Sequence, residues 1–598
     1  MGFFEQLKGD IVFLRGALRA LRDTTPIARH PHRIFPLVVD ELAERHGDAP
    51  ALMSHRERLT YRQLADRANR YARWAQGQGL RKGETVCLLM PNRPEYMAFW
   101  IGVTGAGGVV ALLNTNLVGL ALAHCIDVVS PRHIVVDAEM EAAFATARPL
   151  IKSNAKIWSY GETEALPDIA REIESLSGAA LSDDERPALT IEDHALYVYT
   201  SGTTGMPKAA NINHYRILLG AYGFAGVMDT RPGDVMYNCL PMYHTTGGLV
   251  ATGALLMRGG SVVIRERFSA REFWDDIVRF DCTMFQYIGE FCRYLLNSPT
   301  TPNETRHKLR LACGNGLRPD IWDTFKTRFH IPQILEFYGA TEGNVHMFNF
   351  EGKPGAVGRI PWFVAHRFPT EVVRFDVETQ EPIRDSKGFC IRCAPDEAGE
   401  VIGRIVNDPQ RPSARFEGYA ALGQNEHKIL RNVFQTGDAW FRTGDLMRRD
   451  RNGYFYFVDR VGDTFRWKGE NVSTMEVAEA INAFPGIRDV TVYGVEVPGR
   501  DGRAGMAAIV CDDHCDLGAL HAHLREHLPD YARPLFLRIQ SELEITGTFK
   551  QKKLDLVKEG FDPARVADPV YFSDAASNTF IPLDQELYES LQGRLRRL

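Results

Sequence analysis

Between Tyr197 and Ala210 the chain reads Tyr-Val-Tyr-Thr-Ser-Gly-Thr-Thr-Gly-Met-Pro-Lys-Ala-Ala. Tyr199 closes an apolar run, Ala195 to Tyr199, that has the composition of a buried strand. Thr200, Ser201, Thr203 and Thr204 then bring hydroxyls, and Lys208 brings a full positive charge. Gly202 and Gly205 let the backbone approach a ligand closely, so that its N–H groups can point at an anion. The guest this composition suits is a polyphosphate. The spelling is not a Walker A loop, which needs Gly-Lys-Ser/Thr opening a helix. Met206 and Pro207 separate Gly205 from Lys208, and Ala209 follows the lysine. The plain alternative is a polar linker, but linkers rarely follow a strand so tightly or end in Pro-Lys.

Three other loops carry chemistry, each after a strand-like run. Pro241-Met-Tyr-His244 follows 235–240, Gly314-Asn315-Gly316 follows 309–313, and Tyr338-Gly339-Ala340-Thr341-Glu342-Gly-Asn344 follows 334–337. In open α/β sheets ligands bind beyond the carboxyl ends of strands, so these loops are expected to share one site. An aromatic face can stack adenine, a hydroxyl can bond a phosphate, and a carboxylate can hold Mg²⁺ against phosphate oxygens. Tyr338, Thr341 and Glu342 offer these in order, and Asp445, in Phe441-Arg-Thr-Gly-Asp445, can accept from a ribose diol. Taken singly, Tyr338 reads as core, and Glu342 and Asp445 as turn or surface residues. Together with the hydroxyl loop they suit a nucleoside triphosphate with a metal.

The elements that must position these residues follow from the rest of the chain. Its 598 residues exceed one compact core, so several subdomains are expected. Hydrophobic content of 44% and charged content of 24% are those of a soluble globular protein, and the net charge of −6 argues against a nucleic-acid binder. The ten cysteines are scattered. Cys390-x-x-Cys393 is a lone pair and Cys511 to Cys515 encloses His514, short of the two such pairs a zinc site usually needs, so core and loop thiols are expected. No run of about 18 apolar residues predicts a transmembrane span, and the start lacks a signal-peptide pattern.

Residues 1–30 form an amphipathic segment. In 1–23, Phe3, Phe4, Leu7, Ile11, Leu14, Leu18 and Leu21 recur mostly at helical spacing, with Lys8, Arg15, Arg19 and Arg22 interleaved. Two readings stand: a helix in a membrane interface, or a terminal helix docked on its own domain. From 31 to 459 helices alternate with short apolar strands, which predicts parallel βαβ units in a large N-terminal domain whose part at 355–458 is β-rich. The charged, glycine-containing stretch Asp459 to Asn471 predicts the passage to a small α+β domain over 460–598, ending in an aromatic and polar tail from 566.

The ordered set Tyr199 to Lys208, Tyr338 to Asn344, Phe441 to Asp445, Asp459 to Asn471 and Thr546-Gly-Thr-Phe-Lys550 resembles the adenylate-forming superfamily. The spellings Gly462-Asp-Thr-Phe-Arg-Trp-Lys-Gly-Glu-Asn-Val-Ser473 and Cys313-Gly-Asn-Gly-Leu-Arg-Pro319 are similar to one branch, the fatty acid transport proteins or very-long-chain acyl-CoA synthetases. The resemblance implies α/β architecture with a mobile α+β C-terminal domain. It implies activation of a long- or very-long-chain fatty acid by ATP with Mg²⁺ to acyl-AMP, then transfer to CoA. Two alternatives stay open: transfer to a carrier protein, and fatty acid uptake by coupled thioesterification.

By that resemblance Thr200, Ser201, Gly202, Thr203, Thr204, Gly205 and Lys208 hold the β- and γ-phosphates, and Tyr199 is counted with them as nucleotide-binding. Thr341 touches the α-phosphate and Glu342 holds Mg²⁺. Tyr338, Gly339 and Ala340 frame adenine with Gly314, Asn315 and Gly316. Asp445 and Arg460 bind ribose, Lys550 bridges the acyl carboxylate and α-phosphate, and His244 lies near that carboxylate. Gly462 occupies the hinge between half-reactions. Two departures stand out. Thr245, Thr246, Gly247 and Gly248 stand where some long-chain synthetases place a gating aromatic after His244, and Asn471 stands where many relatives carry an ATP-binding arginine, with Arg466 or Lys468 as conjectured substitutes. A cytoplasmic location is implied, with peripheral contact at the inner face of a membrane through 1–23, no nucleic-acid partner, and an oligomeric state left open to a homodimer.

Overall fold

The protein is described here by a computed structural model. It describes residues 3–200, 206–406, 408, 414–421, 423, 425–468, 470–498, 500, 502–512, 515–543 and 553–592. The expectations for Ser201, Gly202, Thr203, Thr204, Gly205, His514 and Thr546 to Lys550 lie outside these residues. The chain divides into two compact units. The first comprises 1–361, 403–431 and 439–441; the second comprises 362–402, 432–438 and 442–598.

The first unit is built on two α/β sheets. One has the strands Lys156–Tyr160, His133–Asp137, Thr85–Leu89, Val109–Leu112, His194–Thr200 and Lys208–Asn213 side by side. All pairings are parallel except the last, an antiparallel pair. Thr85–Leu89 and Val109–Leu112 are buried throughout, as strands covered on both faces must be. In the other sheet Pro50–Met53, Ser261–Ile264, Val235–Asn238, Met284–Ile288, Leu311–Asn315 and Ile334–Gly339 run parallel. Antiparallel strands His346–Asn349 and Ala356–Arg359 extend it. The expected βαβ alternation is therefore present. The strand expected at 309–313 instead runs to Asn315, so Gly314 and Asn315 belong to the sheet and only Gly316 begins the loop.

Thr370–Val373, Ala398–Arg404, Ala439–Arg449 and Tyr454–Arg460 follow one another in strand order within one sheet. A separate five-stranded sheet runs Ile487–Glu496, Arg503–Cys511, Phe536–Ile539, Val570–Asp574 and Thr579–Pro582. The helix Thr474–Asn482 is capped by the Ser473 side chain accepting from Glu476 N. The tail is not merely a polar extension. Val570–Asp574 and Thr579–Pro582 complete the small sheet, and Phe572 and Phe580 are buried in its core.

The helix Phe3–Thr24 combines features of both readings of the N-terminal segment. One face docks on the first unit. Phe13 is buried edge-on to Phe350, with ring centroids 5.6 Å apart. Arg19 Nε donates to Gly226 O at 3.0 Å, and Arg359 Nη2 donates to Asp10 Oδ1 at 2.6 Å. Gly226, in helix His214–Val227, faces the backbone of Ala20 so closely that a Cβ there would lie 2.7 Å from it. The opposite face exposes Phe4, Leu7, Ile11, Leu14, Leu18 and Leu21, with Lys8, Arg15 and Arg22 exposed beside them. No described helix is long and apolar enough to cross a membrane.

Gly226→Leu is expected to separate the two helices, costing about 1–3 kcal/mol as an overpacked contact. Thermal unfolding reads the loss, and limited proteolysis should release a fragment near residue 24 from the variant but not from the parent.

Candidate nucleotide-binding site

Thr200 and Lys208 are direct partners across the antiparallel pair, so the hydroxyl loop leaves and re-enters the sheet at one point. Lys208 begins the returning strand rather than a helix, a second physical difference from a Walker A loop. Tyr199 is a core residue, in contrast to the expectation that it meets the nucleotide. It is 5% exposed, and its hydroxyl donates to Cys125 O at 2.5 Å. Alternation along the strand turns its ring away from the face that Thr200 presents.

The segment Glu417 to Ala420 lies along the returning strand: Asn211 N donates to Gly418 O at 3.0 Å and Ala420 N to Ala209 O at 2.9 Å. This brings Tyr419 beside the loop stem. The Lys208 ammonium lies over its ring, 5.6 Å from the centroid, and its hydroxyl donates to Glu342 Oε1 at 2.6 Å. Lys428 Nζ is 3.9 Å from the same oxygen. Burial, and next the Glu342 charge, push the Tyr419 hydroxyl well above its ordinary pKa, so it stays protonated and can donate to Glu342. Sequence reasoning missed Tyr419 and Lys428 because neither lies in a motif.

Thr341 and Glu342 stand in a turn after strand Ile334–Gly339, shaped by a third missed residue. Arg216 Nη1 donates to Thr341 O at 2.6 Å, and Nη2 donates to Gly343 O. Arg216 is the only Lys or Arg in helix His214–Val227, and that isolation was the available signal. The helix start is fixed by Asn213, whose side chain accepts from Arg216 N at 3.0 Å. Burial lowers the Arg216 pKa, and burial together with Arg216 lowers His346 to about 4, keeping that imidazole neutral.

The Thr341 hydroxyl also meets Thr245 Oγ1 at 3.2 Å, joining its turn to the His244 loop. His244 is half-buried with its ring against Tyr243, centroids 4.5 Å apart. The residues after it form a π-helical turn, Thr246–Ala251. A Cβ on Gly247 would lie 2.4 Å from Pro241 O, and one on Gly248 would lie 2.2 Å from Met242 O. Close backbone packing therefore requires glycine at both positions.

Gly314 is pressed against Tyr287, where a Cβ would come within 2.3 Å of the carbonyl oxygen. The buried Glu336 accepts from Gly316 N at 3.0 Å and Leu317 N at 2.9 Å, fixing the loop after Asn315. Tyr338 is half-buried, Gly339 exposed and Ala340 half-buried.

Within the second unit Asp445 and Arg460 pair across adjacent strands, with Arg460 Nε 3.7 Å from Asp445 Oδ1. Gly462 has φ of +96° and no atom within 4 Å of a would-be Cβ, conditions that suit a pivot. Arg466 pairs with Glu378 at 3.1 Å and Lys468 with Asp530 at 2.7 Å. The cysteines are free thiols, and among the described residues no group of three metal-ligating side chains occurs.

Glu342 would therefore offer a metal too few described protein ligands for an all-protein cage, a set that would fit Mg²⁺ shared with substrate phosphates. The first unit thus gathers a hydroxyl-bearing stem, a lysine, a carboxylate and a carbonyl-anchored threonine, an arrangement that suits the charges of a nucleotide.

Comparison with known proteins agrees with that class. Residues 39–402 match the AMP-binding enzyme model, and residues 476–550 match the AMP-binding enzyme C-terminal domain. The long-chain fatty acid transport protein 1 of Mus musculus is 42% identical over 563 residues, covering 93% of this chain and 86% of that protein. The fold matches the anthranilate CoA ligase AuaEII in complex with anthranoyl-AMP, with TM-score 0.73 and 22% identity over 87% of this chain and 96% of the ligase. It also matches ATP-bound MatB from Rhodopseudomonas palustris, with TM-score 0.72 and 23% identity over 88% and 98% of the two chains. The chain belongs to the AMP-binding enzyme family and, within it, to the fatty acid transport protein branch.

Tyr419→Phe removes the donor to Glu342 while leaving the ring beneath Lys208. Loss of a hydrogen bond to a charged group is expected to cost about 1.5–3 kcal/mol, read by urea denaturation.

Proposed function

We propose that the protein activates long- or very-long-chain fatty acids in two steps. In the first, a fatty acid carboxylate oxygen attacks the α-phosphorus of ATP and pyrophosphate departs, leaving acyl-AMP. In the second, the CoA thiol attacks the acyl carbonyl and AMP departs. The observation that carries this reading is the Lys208–Tyr419–Glu342 cluster beside Thr341 at the mouth of the hydroxyl loop. Two anions must meet in the first step, so fixed donors and cations are needed where charge develops. The relatives named for long-chain fatty acid transport support the acyl class.

In this reading Thr200 and Lys208, with Ser201 to Gly205, grip the β- and γ-phosphates, and Thr341 bonds the α-phosphate. Glu342 would hold Mg²⁺, which when bound would supply charge neutralisation to the phosphates. Gly314 to Gly316 and Tyr338 to Ala340 frame adenine, Asp445 and Arg460 take the ribose, and His244 faces the acyl carboxylate. Lys550 bridges carboxylate and α-phosphate. The small domain, beginning near Arg460 and turning at Gly462, delivers that lysine and then withdraws it. Pyrophosphate exchange from ATP is expected to depend on added fatty acid. Lys550→Ala should abolish that exchange yet leave thioester formation from supplied acyl-AMP largely intact; equal loss of both halves sinks the assignment.

We further place the enzyme at the cytoplasmic face of a membrane. The exposed stripe from Phe4 to Leu21, bordered by Lys8, Arg15 and Arg22, supports interfacial contact with anionic lipid. Leu7→Ser with Leu14→Ser and Leu18→Ser changes only exposed positions. It should reduce flotation with phosphatidylserine vesicles at unchanged thermal stability, and undiminished flotation would remove the stripe from membrane contact.

A further inference from the structure

Glu336 is a buried acid with no role in the reaction as assigned. It lies within strand Ile334–Gly339, 2% exposed and two residues before Tyr338. Its three recorded partners are all donors. The Tyr287 hydroxyl donates to Oε1 at 2.6 Å, Leu317 N to Oε1 at 2.9 Å and Gly316 N to Oε2 at 3.0 Å. Strand register sets Tyr287 beside Gly314 and Gly314 beside Glu336, so the carboxylate reaches past the glycine to the loop that follows it. The loop is also pressed from above. A Cβ on Gly289, at the start of helix Gly289–Asn297, would lie 1.7 Å from Gly316 O, and Gly316 itself has φ of +80°.

We propose that Glu336 is a positioning residue for the adenine site: its ionised carboxylate holds the Gly316 and Leu317 amides and so sets the Gly314–Gly316 edge, and its protonation releases that edge and weakens ATP binding. This rests on the reading that Gly314 to Gly316 frame adenine. An ionised carboxylate only accepts, which satisfies three donors at once. Oε1 already takes two donors, so a proton there leaves a buried N–H or O–H without its acceptor, and a proton on Oε2 makes that oxygen a poorer acceptor for Gly316 N.

The change falls in the neutral range. Burial pushes Glu336 up to about 7 against the pull of Tyr287 and the two amides. The other titratable groups packed around it keep one charge state there. Burial raises Tyr287, Cys292 and Cys313 well above their ordinary values, so all three stay neutral. Glu290 lies in the first turn of the helix that carries Cys292.

The test is the KM for ATP in fatty-acid-dependent pyrophosphate exchange between pH 6 and 8, using the full chain. The binding-competent fraction falls from about nine-tenths to one-tenth across that range, so KM is expected to rise about ninefold at pH 6, with kcat at saturating ATP moved much less. Glu336→Gln places an amide N–H where the proton would be. It should show the high KM at every pH, and comparison with it removes the titration of ATP itself. Tyr287→Phe deletes a donor to the ionised form and should move the KM midpoint to higher pH. A Glu336→Gln profile that overlays the parent, or a Tyr287→Phe midpoint that stays in place, overturns the proposal. Asn315→Ala separates the two failures. If it raises the ATP KM while the Glu336 and Tyr287 variants behave as the parent, positioning fails and the adenine reading survives. If it leaves the ATP KM unchanged, the adenine reading itself fails.

Discussion

The guanidinium of Arg216, sunk at the start of an otherwise apolar helix, is bonded to the Thr341 and Gly343 carbonyls, and no described carboxylate forms an ion pair with it. A buried cation must be compensated, and carbonyl dipoles do this without consuming its charge. The carbonyls are in turn fixed by the cation, so helix and turn hold each other. Thr341 then meets Thr245, and Glu342 meets Tyr419. Pieces far apart in the chain thereby converge on one turn, with a net positive surround that suits an anionic guest.

Two glutamates six positions apart show how surroundings divide one residue type into two roles. Glu342 has a phenol and an ammonium at one oxygen, and a second lysine lies over that phenol's ring, so the carboxylate stands among donors and cations. Glu336 has only neutral donors and sits deep in the sheet, where burial opposes ionisation. One faces the substrate's charge. The other shapes backbone beneath it.

Much of the fold was legible because strand and helix periods survive in short runs. The parallel alternation expected from 31 onward is present in both sheets of the first unit. The tail was read less well. Its two strands are short and polar on one side, and they join the sheet through Val570–Asp574, which pairs with Phe536–Ile539 and in turn with Thr579–Pro582. Tyr199 shows the same limit at one residue: its place in a motif said nothing of which side of the strand it occupied. Arg216 and Glu336 did leave a mark, since a lone charge in an apolar run demands a partner, but the partner's identity was not in the run.

The order of motifs, the hydroxyl-rich loop and the alternation of elements were determined by sequence alone, because each depends on neighbours within a dozen residues. Which carboxylate is matched by cations, which tyrosine turns inward and which face of the first helix docks were decided only by tertiary structure. Those outcomes depend on burial and on donors brought from distant segments, such as Tyr419 to Glu342 and Tyr287 to Glu336. Local spacing carries no information about the dielectric surroundings or the partner that packing will supply.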